Sequence, residues 1–443
     1  MAHDHKTLPI DAASAATLNE GGLSMRLVDT SDAAAYETWV RAANRGFHGA
    51  ELSDEQAAGM MAGMADRRTT GVYDGDEPVG TANAFPSPVT VPGGAQPSAW
   101  AISDVTVAPT HRRRGIAREL LESELRAAKA LGIPMAMLTV SESTIYGRFG
   151  FAPATMAASL TINTRRARYV GPVPASTVPA GSVRFTSIEA LRPQVDALYA
   201  RWRVTSPGEI EVWPRRWDQI VGLTDDAKKD VTKLPRAVRF DDANGQLQGF
   251  AVYKVKENEA DFPASTADLK YLMAVTPDAY AALWRYLLEL DLVATITAHL
   301  RPVDEPMRWL VSDFRGVKVE TYDHLWLRIL DVPAVLQARK FYAPIDLVLE
   351  ITDSLGHAAG RYRVTAERVE PEVRVEPEVR VEPVETLPDL TLSINELSAL
   401  YLGGVAAPTL HTAGRITEHT AGAVAQLDAA FRSPQTPWLS VWF

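Results

Sequence analysis

A turn of three arginines and one glycine lies between a strand pattern and a helix pattern. Residues 100–107 (WAISDVTV) mix apolar and β-branched residues as a strand does, and Pro109 ends that pattern. From Ile116 onward, apolar residues recur at helical spacing. The free N–H groups of a helix's first turn, together with Gly115 and the arginines, can bind phosphate oxygens. The segment predicts a pyrophosphate site, and the alternative is a solvated basic start of a helix.

Length and composition restrict the class of protein. The 443 residues are enough for two to four domains, because a single core stops growing near about 250–300 residues. The chain has no run of about 18 apolar residues and no cysteine. The lack of cysteine excludes disulfides and thiolate metal sites, and we expect no metal. The formal net charge of −10 disfavours nucleic acid as a partner and favours cationic ligands.

The first 22 residues lack the apolar core of a signal peptide and mix acids with a few basic groups. We expect residues 1–22 to form a disordered, solvated tail. We also expect a cytoplasmic protein that contacts no membrane.

The basic turn has the spacing of a known signature. Arg-Arg-Arg-Gly-Ile-Ala at 112–117, after a strand that ends in Val-x-Pro, resembles the acetyl-CoA signature of the GNAT N-acetyltransferases. It lacks the Gly-Lys-Ser/Thr of a Walker loop and the three spaced glycines of a dinucleotide-binding turn. The resemblance implies acetyl-CoA as co-substrate.

A second strand and an aromatic turn follow the helix. Residues 134–140 (PMAMLTV) predict a strand, and Tyr146 follows in a turn with repeated aromatic-glycine pairs. In GNAT folds the strand at this place parts from its neighbour to admit the pantetheine arm of the cofactor. A phenol with a pKa of about 10 can donate a proton to a departing thiolate. Tyr146 is therefore our candidate general acid, and an aromatic that packs the end of the sheet is the alternative.

The last residues, PWLSVWF, form an apolar run that ends at Phe443. We expect this terminus to be buried, so that its α-carboxylate, with an ordinary pKa near ~3.5, enters a pocket where it needs partners. A hydrophobic strand that packs in the last domain is the alternative interpretation.

Three stretches together, SESTIYGRFGFAPAT, VTVAPTHRRRG and the last residues, closely resemble the Eis family of aminoglycoside N-acetyltransferases. The resemblance implies that Tyr146 is the general acid, that the Phe443 carboxylate is the general base and that the protein is a homo-oligomer, a hexamer built as a pair of trimers. It also implies a set of acetyl-CoA contacts, which are Val105, Thr106 and Val107 for the pantetheine arm, Arg113, Arg114, Gly115, Ile116, Ala117 and Arg118 for the pyrophosphate, and Ser141 and Glu142 near the thiol.

The order strand, Val-x-Pro, helix, strand occurs twice in the chain. Residues 270–299 repeat it around Val275-Thr276-Pro277, but without the glycine and the arginines of the first copy. We therefore predict a mixed α/β (α+β) fold with a catalytic acetyl-CoA-binding GNAT domain over 23–169 and a second GNAT-like domain over 170–330 that binds no cofactor.

The third predicted domain covers residues 331–443 and is rich in strand patterns. It resembles the sterol-carrier-like domain that closes Eis proteins. Within it, residues 368–385 (RVEPEVRVEPEVRVEPVE) repeat six residues with regular proline. Proline forbids a helix and an interior strand, so we expect an extended, solvated insertion.

The resemblance implies aminoglycosides or related polyamines as acceptors, at one or more amines. Asp104 and Trp442 are our candidates for substrate contacts. The residue before Phe443 is Trp442 and not an acid, so the aminoglycoside range stays open. Lysine side chains or another small amine are the alternative substrates. A non-catalytic acetyl-CoA-binding scaffold and a lipid carrier are the alternatives from other classes.

Overall fold

The computed structural model of the protein describes residues 4–172, 181–223, 234–367 and 379–443. In chain order, the helices are α1 (Ala12–Glu20), α2 (Ala33–Gly46), α3 (Asp54–Met64), α4 (Ile116–Ala130), α5 (Ser143–Tyr146), α6 (Ile188–Arg203), α7 (Pro214–Val221), α8 (Pro277–Leu288), α9 (Val332–Ala338), α10 (Ile394–Leu400), α11 (Ala407–Thr412) and α12 (Ala423–Phe431). The strands are β1 (Ser24–Leu27), β2 (Arg68–Asp74), β3 (Glu77–Pro88), β4 (Ser98–Val107), β5 (Met135–Thr139), β6 (Ala152–Pro153), β7 (Met156–Asn163), β8 (Ser182–Thr186), β9 (Arg236–Asp241), β10 (Leu247–Lys256), β11 (Ser265–Ala274), β12 (Val293–Arg301), β13 (Val317–Asp323), β14 (Leu325–Ile329), β15 (Ile345–Thr352), β16 (Gly360–Ala366), β17 (Val379–Pro383), β18 (Leu390–Ser393) and β19 (Ile416–Glu418). The predicted mixed α/β class is confirmed.

The chain divides into two units. The first unit contains the described parts of residues 1–155, 324–434 and 442–443, and the second contains those of residues 156–323 and 435–441. None of the helices among the described residues combines the length and the apolar character that a membrane crossing requires.

The larger sheet of the first unit has the strand order β1-β2-β3-β4-β5-β14-β6. Its pairings are antiparallel except for β4 with β5, which is parallel. Helix α4 lies between these two strands in sequence, as the predicted strand-turn-helix-strand order requires. Its apolar positions Ile116, Leu120, Leu121 and Leu125 are all buried, which confirms the periodicity read from the sequence.

The predicted disordered tail is wrong over residues 12–20. Asp11 caps α1 by accepting a hydrogen bond from the Ser14 N–H at 2.8 Å, and Leu18 is only 2% exposed because it packs in a cluster with Leu120 and Met25. Arg126 of α4 donates to the Ser14 hydroxyl at 2.6 Å. Helix α1 forms because residues of α4 and β1 cover one of its faces. Its own sequence is rich in alanine, so its apolar periodicity is weak.

The sheet of the second unit has the order β13-β7-β12-β11-β10-β9-β8. The repeat predicted over 270–299 is confirmed as β11, α8 and β12, with β11 and β12 parallel. Thr276 caps α8 by accepting from the Ala279 N–H at 3.2 Å. One N–H group in the first turn of this helix is therefore satisfied by the side chain of the N-cap residue.

Two strands join sheets outside the predicted limits of their domains. β7 precedes residue 170 but pairs with β12 and β13 of the second unit. β14 precedes residue 331 but pairs with β5 and β6 of the first. Composition along the chain does not contain this information, because strand partners are distant in sequence. The domain limits stay predictions, and residues 173–180 near the first limit lie outside the described residues.

The second sheet of the first unit has the order β17-β16-β15-β18-β19. The expected insertion at 368–385 is wrong at its end, because Val379–Pro383 forms the edge strand β17. An edge position tolerates proline, and Val381 is buried there, which supplies the stabilisation that a solvated excursion lacks. Residues 368–378 of the repeat lie outside the described residues.

Candidate active site

Strands β4 and β5 pair over a short stretch near their starts. The parallel pairing joins Trp100 with Ala136 and Ala101 with Met137, and it ends there. A bulge follows, at which Asp104 has φ 51° and the register with β3 shifts. Beyond Ala101, the side of β4 that faces β5 therefore has no strand partner among the residues that the structure describes. The main chain of residues 105–107 belongs to this stretch of β4.

The predicted pantetheine residues differ in exposure. Thr106 is buried, and its Oγ1 lies 2.6 Å from Oγ1 of Thr81 on β3. Val105 and Val107 are half-buried and pack on the cluster that contains Ile116. Because these side chains contact other parts of the protein, only the main-chain groups of residues 105–107 are left for a ligand.

The turn before α4 is open. Gly115 has φ 81° in the left-handed region, and a Cβ added there would meet nothing within 4 Å. No side chain among the described residues caps the first turn of this helix. A helix start has N–H groups without intrahelical partners and a partial positive charge, so an anion can occupy this open space.

The predicted pyrophosphate residues do not all offer side chains. Arg114 donates to Gly21 O at 2.7 Å, and Arg118 pairs with Glu122 at 3.4 Å. Arg113 is exposed, has φ 63° and makes no hydrogen bond or ion pair with any residue that the structure describes. Ile116 is the first residue of α4, and its side chain is buried. It and the half-buried Ala117 can therefore contribute only main-chain N–H groups.

The end of β5 contacts the end of the chain. Thr139, the last residue of β5, donates a hydrogen bond from Oγ1 to the main-chain oxygen of Phe443 at 3.1 Å. The Phe443 ring packs edge-to-face on Phe85 of β3, with 6.2 Å between the ring centroids. Sequence reasoning did not identify Thr139 or Phe85, because no local pattern indicates which residues meet a distant terminus.

A charged cluster surrounds the bulge in β4. Asn83 donates to Asp104 Oδ2 at 2.5 Å, and the Arg67 guanidinium lies 3.9 Å from the same oxygen. Burial raises the pKa of Asp104, while the charge of Arg67 and the hydrogen bond from Asn83 act in the opposite direction. Arg67 also stacks over Phe85 at 4.3 Å. Asp104 thus has protein partners, which weakens the expectation that it holds a cationic substrate alone.

Tyr146 closes the single turn α5, seven residues after Thr139. Its side chain is 6% exposed and packs edge-to-face on Phe151 at 6.3 Å. Burial raises the pKa of Tyr146, a hydrogen bond with Ser141 lowers it, and the negative charge of Glu142 raises it further. Tyr146 therefore stays protonated at neutral pH, and both Ser141 and Glu142 lie beside it on the exposed turn.

Two other parts of the first unit hold the turn that follows Tyr146. Arg328 of β14 donates to Phe149 O at 2.7 Å, and Asn395 of α10 donates to Gly147 O at 2.8 Å. The Arg328 guanidinium is itself fixed by a buried ion pair with Asp353 at 2.7 Å. These contacts were not foreseen from the sequence, and they restrict the movement of Tyr146.

Trp442 is 40% exposed and packs against the buried ring of His324, with 4.4 Å between the centroids.

The structure brings Phe443 to the end of β5, beyond the point where β5 stops pairing with β4. Tyr146 follows this end of β5 in the sequence. A carboxylate can accept a proton, and a protonated phenol can donate one. Among the described residues, no group of three or more His, Asp or Glu side chains could hold a metal.

Family models match most of the chain. Residues 28–154 and 208–329 each match an acetyltransferase (GNAT) domain, and residues 332–440 match a sterol carrier protein domain. These matches fit the predicted architecture of two GNAT-like domains followed by a sterol-carrier-like domain.

Relatives match over nearly the full length. An uncharacterized N-acetyltransferase of Streptomyces avermitilis is 36% identical over 411 residues, which cover 91% of this chain and 95% of the relative. The N-acetyltransferase Eis of Mycobacterium tuberculosis is 33% identical over 371 residues, or 82% of this chain and 85% of that protein. The crystal structure of Eis1 from Mycobacterium abscessus matches with a TM-score of 0.78 and 29% identity, covering 95% of this chain and 100% of that one. With this similarity added to the acetyltransferase domains, the chain belongs to the Eis family of GNAT N-acetyltransferases.

Proposed function

We propose that the protein transfers the acetyl group of acetyl-CoA to amines of aminoglycosides or related polyamines, with Phe443 as base and Tyr146 as acid. The observation that supports this most strongly is the hydrogen bond from Thr139 to the Phe443 main-chain oxygen at the end of β5. It puts a terminal oxygen next to the place where a parted β4 and β5 would admit the thioester. The proposal takes Phe443 as the last residue of the working enzyme, which intact mass spectrometry of the natural protein checks.

The first unit offers two surfaces for acetyl-CoA. The open Gly115 turn and the first N–H groups of α4 would hold the pyrophosphate, and Arg113 would add charge-assisted hydrogen bonds. The main chain of residues 105–107 would pair with the amides of the pantetheine arm, because no strand in the described parts of the chain pairs with it on the β5 side. Both surfaces belong to β4 and α4, so the cofactor would be held by consecutive elements.

The proton transfers follow from the two groups. The Phe443 carboxylate takes a proton from the ammonium group of the acceptor, and the neutral nitrogen attacks the thioester carbonyl. The C–N bond forms, the C–S bond breaks, and the Tyr146 hydroxyl protonates the departing thiolate. The nitrogen, which is cationic after the attack, releases its second proton to solvent water, and water returns a proton to the Tyr146 phenolate, so that the products are the acetylamide and the CoA thiol. Holding the reacting atoms together supplies much of the rate acceleration in such a transfer.

Two features of the protein favour a cationic acceptor. The formal net charge of −10 favours approach of polycations. The exposed part of Trp442 can hold an ammonium group by a cation–π interaction. We therefore propose Trp442 as an acceptor contact. Asp104 already has protein partners, so it would act on the acceptor only through the electrostatic field of the charged cluster in which it lies.

An acceptor panel tests the proposal. Release of free CoA thiol from acetyl-CoA would be measured with aminoglycosides, polyamines and lysine peptides against an amine-free control, and mass spectrometry would count acetyl groups on each product. We expect amine-dependent release that is fastest with aminoglycosides or polyamines. Release only with lysine peptides would indicate that the acceptors are lysine side chains of proteins. No release despite acetyl-CoA binding would contradict the proposal. Light scattering of the same sample tests the hexamer that the family resemblance implies.

Gly115→Val is expected to raise the Kd for acetyl-CoA by roughly tenfold to a hundredfold, which corresponds to the loss of one or two charge-assisted hydrogen bonds. The new side chain would occupy the space where the pyrophosphate binds. Isothermal titration calorimetry with acetyl-CoA measures the effect.

Gly132 provides a matched control at the other end of α4. It has φ 70°, and a Cβ there would also meet nothing within 4 Å. Gly132→Val therefore introduces a similar backbone strain, on the order of 1–3 kcal/mol, away from the predicted anion site. An equal loss of acetyl-CoA affinity in both variants would show that strain, and not the anion site, causes it.

Thr139→Val keeps the shape of the side chain and removes the hydrogen bond to Phe443. Hydrogen bonds to charged groups contribute about 1.5–3 kcal/mol, so we expect kcat to fall by roughly tenfold to a hundredfold with an unchanged Kd for acetyl-CoA. Steady-state kinetics with the best acceptor measures this, and an unchanged kcat would mean that Thr139 does not orient the base.

A further inference from the structure

The chain segment before Trp442 is firmly held within the second unit. Thr436 donates to Asp304 Oδ2 at 2.6 Å, and the Trp438 N–H donates to Pro207 O at 2.8 Å. The indole of Trp438 packs edge-to-face on Trp202 at 5.5 Å. We call residues 435–441 the terminal segment.

A buried carboxyl group forms the last anchor of the terminal segment. Glu209 is fully buried. Its Oε1 accepts from the Ser440 N–H at 2.8 Å, and its Oε2 lies 3.2 Å from the Ser440 hydroxyl and 2.8 Å from the Tyr199 hydroxyl. Tyr199 also contacts Ile210 O at 2.8 Å, and Tyr271 contacts the Ser440 hydroxyl at 2.9 Å.

The number of protons in this cluster indicates the charge of Glu209. The cluster has three hydroxyl groups, those of Tyr199, Tyr271 and Ser440. Four side-chain contacts join them to one another, to Glu209 Oε2 and to Ile210 O. The hydroxyl groups bring three protons, so an ionised Glu209 leaves one contact without a hydrogen. With a protonated Glu209, its O–H donates to Tyr199, Tyr199 donates to Ile210 O, and the remaining two contacts are satisfied as well.

The surroundings of Glu209 agree with this count. Burial raises its pKa to about 8, against smaller opposite effects from the hydrogen bonds of Tyr199 and Ser440 and from the charge of Arg203. Burial and the negative charge of Glu209 in turn raise the pKa of Tyr271 and of Tyr199. At pH 7 the cluster is therefore neutral. It loses stability as the pH rises from near the ordinary pKa of 4.5 through about 8.

We infer that Glu209 is a positioning residue, whose carboxyl group fixes Ser440 and thereby limits where the terminal carboxylate of Phe443 can lie. The inference rests on the proposed function of that carboxylate as base. Three residues span at most roughly 10 Å of extended chain, so a fixed Ser440 keeps Phe443 within a short reach. The anchor of the terminal segment would thus lie in the second GNAT-like domain, which lacks the basic glycine turn.

Two substitutions at Glu209 distinguish the hydrogen bonds of its side chain from its ability to carry a negative charge. Glu209→Ala leaves the Ser440 N–H without its buried partner, and we expect kcat to fall roughly tenfold or more with an unchanged Kd for acetyl-CoA. Glu209→Gln reproduces the protonated group, because its amide can accept from Ser440 N–H and donate to Tyr199. We expect this variant to keep the wild-type kcat at pH 7. We also expect kcat of the wild type to decline above about pH 8 and kcat of this variant not to do so.

Hydrogen exchange measures the anchor without any acceptor or turnover. Amides of residues 435–443 should exchange at least roughly tenfold faster in Glu209→Ala than in the wild type or in Glu209→Gln at pH 7. Asp241→Ala is the matched control, because Asp241 is a buried carboxylate of the second unit that pairs with Arg239 instead. It should leave exchange of the terminal segment unchanged.

The outcomes distinguish this inference from the proposed function. Unchanged exchange in Glu209→Ala overturns the anchor whatever the activity, and so does a Glu209→Gln variant as impaired at pH 7 as Glu209→Ala. Faster exchange together with absent turnover in the wild type overturns the proposed function and leaves the anchor in place. Faster exchange with an unchanged kcat overturns the positioning role.

Discussion

A protein that lacks Phe443 is expected to lose on the order of a hundredfold to ten-thousandfold in kcat, the usual contribution of a positioned general base. The deletion moves the terminal carboxylate to Trp442 and removes its hydrogen bond from Thr139. The acceptor then stays protonated and cannot attack the thioester. The Kd for acetyl-CoA should not change, because the Gly115 turn and β4 are intact. Steady-state release of CoA thiol and titration calorimetry measure the two quantities.

The control for this prediction keeps the Phe443 side chain. Adding one glycine after Phe443 retains the ring contact with Phe85 but moves the carboxylate by one residue. We expect the same loss of kcat as in the deletion. Full activity in the extended protein would mean that the ring, and not the carboxylate, matters, and full activity in both would exclude a terminal base.

Tyr146→Phe is expected to lower kcat by a factor on the order of a hundred to ten thousand, because no group then protonates the departing thiolate. The ring still packs on Phe151, so the fold should be retained. Burial raises the pKa of Tyr146, which keeps the proton available throughout the neutral range. Rates with a series of acyl donors whose thiols have lower pKa values should fall less, since a better leaving group needs less protonation.

Tyr401 offers a matched control for the loss of a tyrosine hydroxyl. It is fully buried in the first unit and donates to Val335 O at 2.9 Å. Tyr401→Phe is expected to lower stability by roughly 1 kcal/mol without changing kcat. A Tyr146→Phe variant that behaves like Tyr401→Phe would remove Tyr146 from the mechanism and leave water as the acid.

The elements that sequence reasoning predicted well are those with a local signal. The strand, the open Gly115 turn and α4 follow from periodicity, from one proline and from the charge pattern within about twenty residues. The second copy over 270–299 was predicted because its apolar periodicity repeats that of the first. A local pattern is sufficient here since each element buries the face that its own spacing defines.

The contacts that sequence reasoning missed are all between distant residues. Thr139 meets Phe443, which lies outside every strand, and Glu209 meets Ser440 within the second unit. Neither pair has a motif, since a threonine at a strand end and a buried glutamate are common. Helix α1 was missed for a related reason, because its buried face depends on α4 and on β1.

Two forms of the protein that differ in a single group test the terminal base. One form ends in the Phe443 carboxylate and the other in its primary carboxamide, both made by ligation of a synthetic C-terminal peptide. We expect equal affinity for acetyl-CoA and a fall in amine-dependent CoA release of at least about a hundredfold in the carboxamide. Equal release by the two forms would contradict the assignment of the Phe443 carboxylate as the base.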